Sequence, residues 1–359
     1  MDVNLFNFDL PQALIAQEPA RPRDSARLLH IPAGVDTFGD MIVRDLPQLL
    51  WEGDILVFND TRVIPARLVG KRGDATNRGK PDGGAKVEVT LHQPVDAHTW
   101  RVFAKPAKKL NPRDYIVFAP GFAADCVNEG DMGERWLKFN VAGHELIEKL
   151  HAHGVMPLPP YIKRPDGGSA EDRDDYQTMF AAKDGAVAAP TAALHFTDDL
   201  LNAVRTAGAV DTRITLHVGA GTFLPVRAED TDDHVMHTER AMLSAETAEL
   251  LNDARTDGRR IVACGTTALR TLESAADKNG VFHAYNDNTD LFVTPGYKFN
   301  GIDALMTNFH LPCSTLFMLV SAIAGLDRMQ AAYAHAIANE YRFYSYGDAC
   351  FIERADNVS

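Results

Sequence analysis

Residues Gly53–Leu68 read GDILVFNDTRVIPARL. Four apolar residues, Ile55 to Phe58, break into Asn59-Asp60-Thr61-Arg62 before the apolar pattern resumes at Val63-Ile64-Pro65, which predicts a buried strand ending in a polar turn. From Arg67 to Val141 the texture changes to short alternating runs, KVEVTLHQ, WRVFAKP, YIVFAPG and ERWLKFNV, separated by glycine, proline, asparagine and aspartate. This spacing predicts five or six strands of an all-β module, a small barrel. Its first loop, Gly73 to Ala85, has no large apolar residue to anchor it and is expected to be mobile.

Beyond Gly143 the period lengthens. Helix-period segments at 145–153, 197–207, 244–257 and 326–341 alternate with the apolar runs RITLHV, RIVACG and DLFVTP, read as strands. The β module therefore interrupts an α/β pattern that begins before it and continues after it. The expected fold class is α/β: a larger, three-layer-like α/β domain from residues 1–66 and 142–359, carrying an inserted small all-β barrel domain at 67–141.

The chain has 359 residues, 36 Lys plus Arg against 49 Asp plus Glu, and a formal charge of −13, which argues against a protein that coats nucleic acid over its whole surface. Local basic groups occur at Arg67-Lys71-Arg72, at Lys105, Lys108, Lys109 and Arg113, and at Lys163-Arg164, and suggest a phosphate-tracking face within and beside the β module. The longest largely apolar run, Leu316 to Leu326, is about half the ~20 residues of a membrane-spanning helix, and reads as core. The first residues have no apolar h-region, so no secretory signal and no membrane association are expected, and the protein is expected to be cytoplasmic. Cys126, Cys264, Cys313 and Cys350 form no CxxC pair; reduced thiols are expected.

IVACGTTALRTLESAA (Ile261 to Ala276) reads as strand, turn and helix, with Thr266 or Thr267 placed to cap the helix or to bind a carboxylate or ribose hydroxyl at its N-terminus. RITLHVGAGTFLPVR (Arg213 to Arg227) holds Gly219-Ala220-Gly221, yet Phe223-Leu224-Pro225-Val226 is extended where a dinucleotide loop needs a helix, and the third glycine is missing. No GxxxxGK[ST] occurs. His195, His217, His234, His237 and His310 lie near segment ends in polar contexts that suit acid–base work; HxxH without HExxH is a weak zinc pattern, and no metal is expected. Ser314 or Thr315 precedes the apolar helix as a natural N-cap, and Tyr344 or Tyr346 in YRFYSYGDACFI is either core or a stacking surface for a purine.

FDLPQALIAQEPARPRDSARLL, GDILVFNDTRVIPARL, GAVAAPTAALHFTDDLL, TLHVGAGTFLPV, HVMHTER, GTTALRTLESAA, NFHLPCSTLFMLVSAIAG and YRFYSYGDACFIE span Phe8 to Glu353. Together they resemble the S-adenosylmethionine:tRNA ribosyltransferase-isomerase family of queuosine biosynthesis. Cys313 departs from the basic residue that the family's LP-x-ST turn is expected to hold. The resemblance implies an α/β domain with an inserted barrel, a monomer, and transfer of the ribosyl part of S-adenosylmethionine to 7-aminomethyl-7-deazaguanine at the tRNA wobble position. Epoxyqueuosine-tRNA forms, and adenine and methionine leave. S-adenosylmethionine is consumed as a substrate, and no other cofactor is implied.

That chemistry needs a base at the carbon beside the sulfonium and proton donors at the departing purine. Expected acid or base duties fall among His195, His217, His237 and His310, with Asp60 and Asp348 as carboxylates. Arg62, Thr191, Gly219, Gly221, Thr222, Thr266, Thr267, Asn308, Ser314, Tyr344 and Tyr346 are the expected substrate contacts. Lys105, Lys108, Lys109, Arg113, Lys163 and Arg164 are expected to touch tRNA phosphates. A methyltransferase is the rival enzyme reading and a non-catalytic RNA-binding module the rival of another class.

Overall fold

The computed structural model describes residues 1–73, 84–130, 133–164, 171–219, 221, 226 and 228–355. In chain order the first strands are β1 (Arg27–Ile31), β2 (Gly39–Ile42), β3 (Ile55–Asn59) and β4 (Thr61–Val63). Then come β5 (Arg67–Gly73), β6 (Lys86–Pro94), β7 (Thr99–Lys105), β8 (Tyr115–Ala119), β9 (Phe122–Glu129) and β10 (Glu134–Phe139). After α1 (Gly143–His153) and α2 (Glu171–Asp175) follow β11 (Lys183–Ala186), α3 (Asp198–Thr206), β12 (Val210–His217), β13 (Glu239–Leu243) and α4 (Ala245–Thr256). The chain continues through β14 (Ile261–Cys264), α5 (Thr266–Ala275), β15 (Tyr285–Thr289), β16 (Ala304–Asn308), α6 (Thr315–Ala324), α7 (Leu326–Ala338) and β17 (Ala349–Glu353).

Nine strands form one sheet in the order β15-β13-β12-β3-β14-β16-β17-β1-β2. Its centre, β12, β3, β14 and β16, is parallel, and antiparallel strands flank it. The alternation of β3 shows why this sheet is covered on both faces. Ile55 and Val57 enter one core with residues of α4, α5, α6 and α7, whereas Leu56 and Phe58 enter a second core with Leu200, Leu201 and Val204 of α3. Three layers result, with the sheet in the middle.

β5 to β10 close into a six-stranded barrel in the order β10-β7-β6-β5-β8-β9, at the upper end of the strand number the sequence suggests. Leu146 and Leu150 of α1 enter the barrel's core with Ile64 and Val187, which joins it to the sheet domain. Residues 74–83 of the glycine-rich loop, and 223–225 of the extended FLPV run with the preceding Thr222, lie outside the described residues.

DLFVTP is not a strand. The ladder partner of β13 is the polar YNDNT immediately before it, and Arg270 binds the carbonyls of Thr289 and Leu291 where the ladder stops. Val293 of the apolar run is buried in the core of the sheet domain instead, with Leu291 and Phe292 partly buried against it. The segment Leu316–Leu326 is core as expected, but α6 ends at Ala324 because Gly325 turns the chain at φ 94° into α7. Among the described residues no helix is long and apolar enough to cross a membrane.

Candidate active site

Because β3, β14 and β16 run parallel, their carboxyl ends open on one edge of the sheet, the edge where open α/β sheets bind ligands. A cavity of about 460 Å³ lies there, a size that suits a small molecule. Thr191, Thr266, Thr267, Asn308, His310, Ser314 and Tyr344, all expected from the sequence, line it together with Tyr161, Tyr176, Val218 and Val226.

One wall is the start of α5. Gly265, at φ 101°, turns the chain from strand to helix and no side chain caps the end, so the first-turn N–H groups face the cavity with the positive end of the helix dipole. Thr267 Oγ1 is inaccessible to solvent and has no hydrogen-bond partner. An unmade bond to a hydroxyl costs about 1–3 kcal/mol, which favours a ligand group that completes it. Arg270, one turn further on, forms a buried ion pair with Glu239, whose other oxygen accepts from the Gly219 N–H at 2.9 Å. The pair thus ties the helix to the strand end that carries Val218.

The opposite wall is uncharged. Thr191 Oγ1 donates to Asn308 Oδ1 at 2.8 Å, and Asn308 Nδ2 lies 3.1 Å from His195 Nε2. His310 Nε2 lies 3.2 Å from Thr307 Oγ1, and its backbone N–H donates to the Tyr333 hydroxyl at 2.9 Å. Burial pushes the His195 pKa down to about 4 and that of His310 down to about 3, so both rings are neutral near pH 7. Tyr344 closes the floor, stacked on Tyr161 at 4.3 Å between centroids, and Tyr161 Oη bonds Ser345 Oγ at 2.6 Å. Tyr344 holds φ 72°, a left-handed conformation unusual for a bulky residue and a mark of local constraint at a site.

Other expected residues fall elsewhere. His195 is behind the wall, bonded to Asn308, and does not line the cavity. The Asp348 carboxylate is enclosed by the backbone N–H groups of Arg27 and Arg342 and by the Arg342 guanidinium, so it anchors a turn. Tyr346 is buried edge-on against Tyr176. Ser314, although it lines the cavity, accepts from Phe317 N and donates to Leu311 O, which commits its hydroxyl to capping α6. Asp60 accepts from Thr215 Oγ1 at 2.5 Å and lies 3.7 Å from Lys183 in a separate open cleft with Arg213 and Ser244. Nearby, Arg62 binds the Ala181 carbonyl and His217 Nδ1 bonds Thr61 Oγ1. His237 is exposed and packs against Gly221; Thr222 lies outside the described residues.

Lys105, Lys108, Lys109 and Arg113 are exposed together around the short turn after β7. Lys105 pairs in register with Glu88, toward the barrel end away from the Arg67–Val155 bridge that joins the sheet domain. Lys163 is exposed, but Arg164 is held by Asp172 through Nε at 3.0 and 3.2 Å and by the Gln17 carbonyl. Among the described residues no three His, Cys, Asp or Glu side chains are grouped to hold a metal ion.

A barrel-bearing α/β protein with a small-molecule cavity at the carboxyl edge of its parallel strands is the class that this geometry defines. The chain belongs to the family described as queuosine biosynthesis protein, whose model matches residues 3–352. It is 57% identical to the S-adenosylmethionine:tRNA ribosyltransferase-isomerase of Rhodospirillum rubrum over 99% of both chains, and 55% identical to that of Maricaulis maris, again over 99% of both. A crystal structure of S-adenosylmethionine tRNA ribosyltransferase from Thermotoga maritima is similar to it at 32% identity and a TM-score of 0.54, covering 97% of this chain and 99% of that one.

Proposed function

We infer that this protein is an S-adenosylmethionine:tRNA ribosyltransferase-isomerase. It transfers and isomerises the ribosyl part of S-adenosylmethionine onto 7-aminomethyl-7-deazaguanine of tRNA, giving epoxyqueuosine-tRNA, adenine and methionine. Membership of the family along almost the whole chain carries this conclusion.

We propose that S-adenosylmethionine occupies the cavity at the ends of β14 and β16. The observation that supports this most is the uncapped α5 N-terminus with the unpartnered Thr267 hydroxyl, a place for the methionyl carboxylate. Tyr344, backed by Tyr161, offers a ring face at the wall for a purine. The sulfonium acidifies the adjacent carbon, and His310, an imidazole that lines the cavity, is the proposed base that takes its proton to form an ylide-like carbanion. S-adenosylmethionine is consumed as a substrate, and this route calls on no resident metal or other cofactor. Lys105, Lys108, Lys109, Arg113 and Lys163 are proposed phosphate contacts, and the working form is proposed to be a cytoplasmic monomer.

Free adenine released from a complete mixture with substrate tRNA tests the reaction; formation of S-adenosylhomocysteine instead would overturn it in favour of a methyltransferase. His310→Gln should lower adenine release by ~100-fold or more, the loss expected when general acid–base catalysis is removed. Replacing Lys105, Lys108, Lys109 and Arg113 with Gln should lower the slope of tRNA affinity against salt by roughly one unit per lost phosphate contact. An unaltered slope reassigns the patch to solvated surface.

A further inference from the structure

The neutral wall has a direction. An amide nitrogen only donates, so in the Asn308–His195 contact the amide Nδ2 gives its proton to His195 Nε2, which carries none. The ring proton then sits on Nδ1, consistent with the hydrogen bond that His195 makes to the Arg23 backbone. Turning the Asn308 amide over would need the proton on Nε2 and would remove it from the nitrogen that serves Arg23. With the amide nitrogen held toward His195, the amide oxygen faces Thr191 and takes its hydroxyl proton at 2.8 Å. Thr191 and Asn308 line the cavity, His195 does not, and Asn308, only 2% exposed, links the two.

Since the Thr191 proton is committed within the wall, the group this side chain presents to a ligand is an oxygen lone pair. We propose that His195 is a positioning residue that, through Asn308, fixes Thr191 as a hydrogen-bond acceptor for an O–H or N–H of the nucleoside part of S-adenosylmethionine. The inference rests on the reading of this cavity as the S-adenosylmethionine site. It gives the two walls opposite polarity: donors at the α5 N-terminus, an acceptor at Thr191. A bound molecule with a carboxylate at one end and hydroxyl or amino protons at the other is thereby held in one orientation.

The test measures kcat and KM for S-adenosylmethionine by adenine release with saturating substrate tRNA. Thr191→Val should raise KM about tenfold to a hundredfold, the effect of an unmade hydrogen bond, while Thr191→Ser stays within a few-fold of the parent. His195→Leu should reproduce the Thr191→Val effect, and His195→Gln, which keeps an acceptor for Asn308, should recover most of it with an unchanged pH profile of kcat. The double variant Thr191→Val/His195→Leu should lose no more than the worse single variant, because both remove one contact.

Analogues lacking the 2′-hydroxyl, lacking the 3′-hydroxyl, or dimethylated at the adenine amine separate the donors. The analogue missing the partner of Thr191 should not distinguish Thr191→Val from the parent. A parental KM in Thr191→Val beside a raised KM in Thr267→Val overturns the acceptor and leaves the site standing. A parental KM in both, and in Tyr344→Leu, overturns the site itself. Additive losses in the double variant, or a shifted acid limb of the pH profile in His195→Gln, overturn the positioning role.

Discussion

Two walls of one cavity are held by different physics. On the side of Thr191 and Asn308 every polar group is neutral and bonded to the next, from the Arg23 backbone through His195 to the hydroxyl. On the side of Val218 and α5 a buried ion pair, Arg270–Glu239, does the holding, with side chains 8% and 6% exposed. A neutral chain sets which atom is a donor and which an acceptor, and its loss mainly reorients groups. An ion pair sets where two backbone elements sit, and its loss leaves an unpaired charge in a low-dielectric interior.

Breaking the pair should therefore have the largest effect on the fold. Glu239→Ala leaves Arg270 uncompensated and frees the Gly219 N–H, which should cost about 3–5 kcal/mol in urea unfolding. A loss below about 1 kcal/mol would make the two walls energetically alike. Exchanging both partners for apolar residues of similar volume should recover much of the stability, since the pair's desolvation is then avoided.

The neutral wall answers to pH. His195 and His310 both have folded-state pKa values depressed below the ordinary 6.5, so the unfolded chain binds protons that the folded one refuses. Their stabilisation is complete above about pH 6.5 and is lost as pH falls toward about 4 for His195 and about 3 for His310. Each ring adds up to about 1.4 kcal/mol per pH unit in that window. Urea midpoints between pH 7.5 and 5 should fall accordingly, and fall less steeply in His310→Gln; equal slopes in the two proteins would mean that His310 does not titrate on unfolding.

The smallest effect should come from the charged cleft beyond the cavity. Asp60→Asn keeps a bond to Thr215 and touches no cavity-lining residue's hydroxyl, and its ion partner Lys183 is open to solvent and screened, so KM for S-adenosylmethionine should change less than about threefold. A tenfold change would place Asp60 in contact with the same substrate.

The difference between the two walls could not have been read before folding. Thr191, Thr266, Thr267, Asn308 and His310 were legible because each follows a strand or opens a helix, and chain position alone sends them to the strand ends. Asp60 follows β3 in the same way, yet its side chain turns toward Thr215 and Lys183 while Asn59 bonds the Leu216 backbone; four polar residues in succession, which the structure divides between the end of β3 and the start of β4, do not declare which of them faces the cavity. Tyr161 was overlooked because its only signal is the Pro-rich MPLPPY before it, and its role comes from stacking on a residue 183 positions away, Tyr344. Glu239 and Arg270 were invisible for the same reason: partners 31 residues apart in separate elements carry no local pattern. The barrel, by contrast, is built largely from neighbouring hairpins, and the alternation of β6, β7, β8 and β10 was readable, although FAADCVNE of β9 was not picked out.

The sheet's far edge has a consequence for how the molecule comes to be made. Leu28 lies in register with Ala349, and Ile31 with Ile352, so β1 waits through the synthesis of more than three hundred residues for its parallel neighbour. The barrel closes entirely within 67–139 and meets no such delay. Contacts that span so much chain form slowly, because the connecting segment must be ordered before the pairing is rewarded. An early, self-contained hairpin cage and a late-zipped outer seam are thus built into one polypeptide, and any nascent form that stops short of residue 349 leaves β1 and β16 with raw hydrogen-bonding edges.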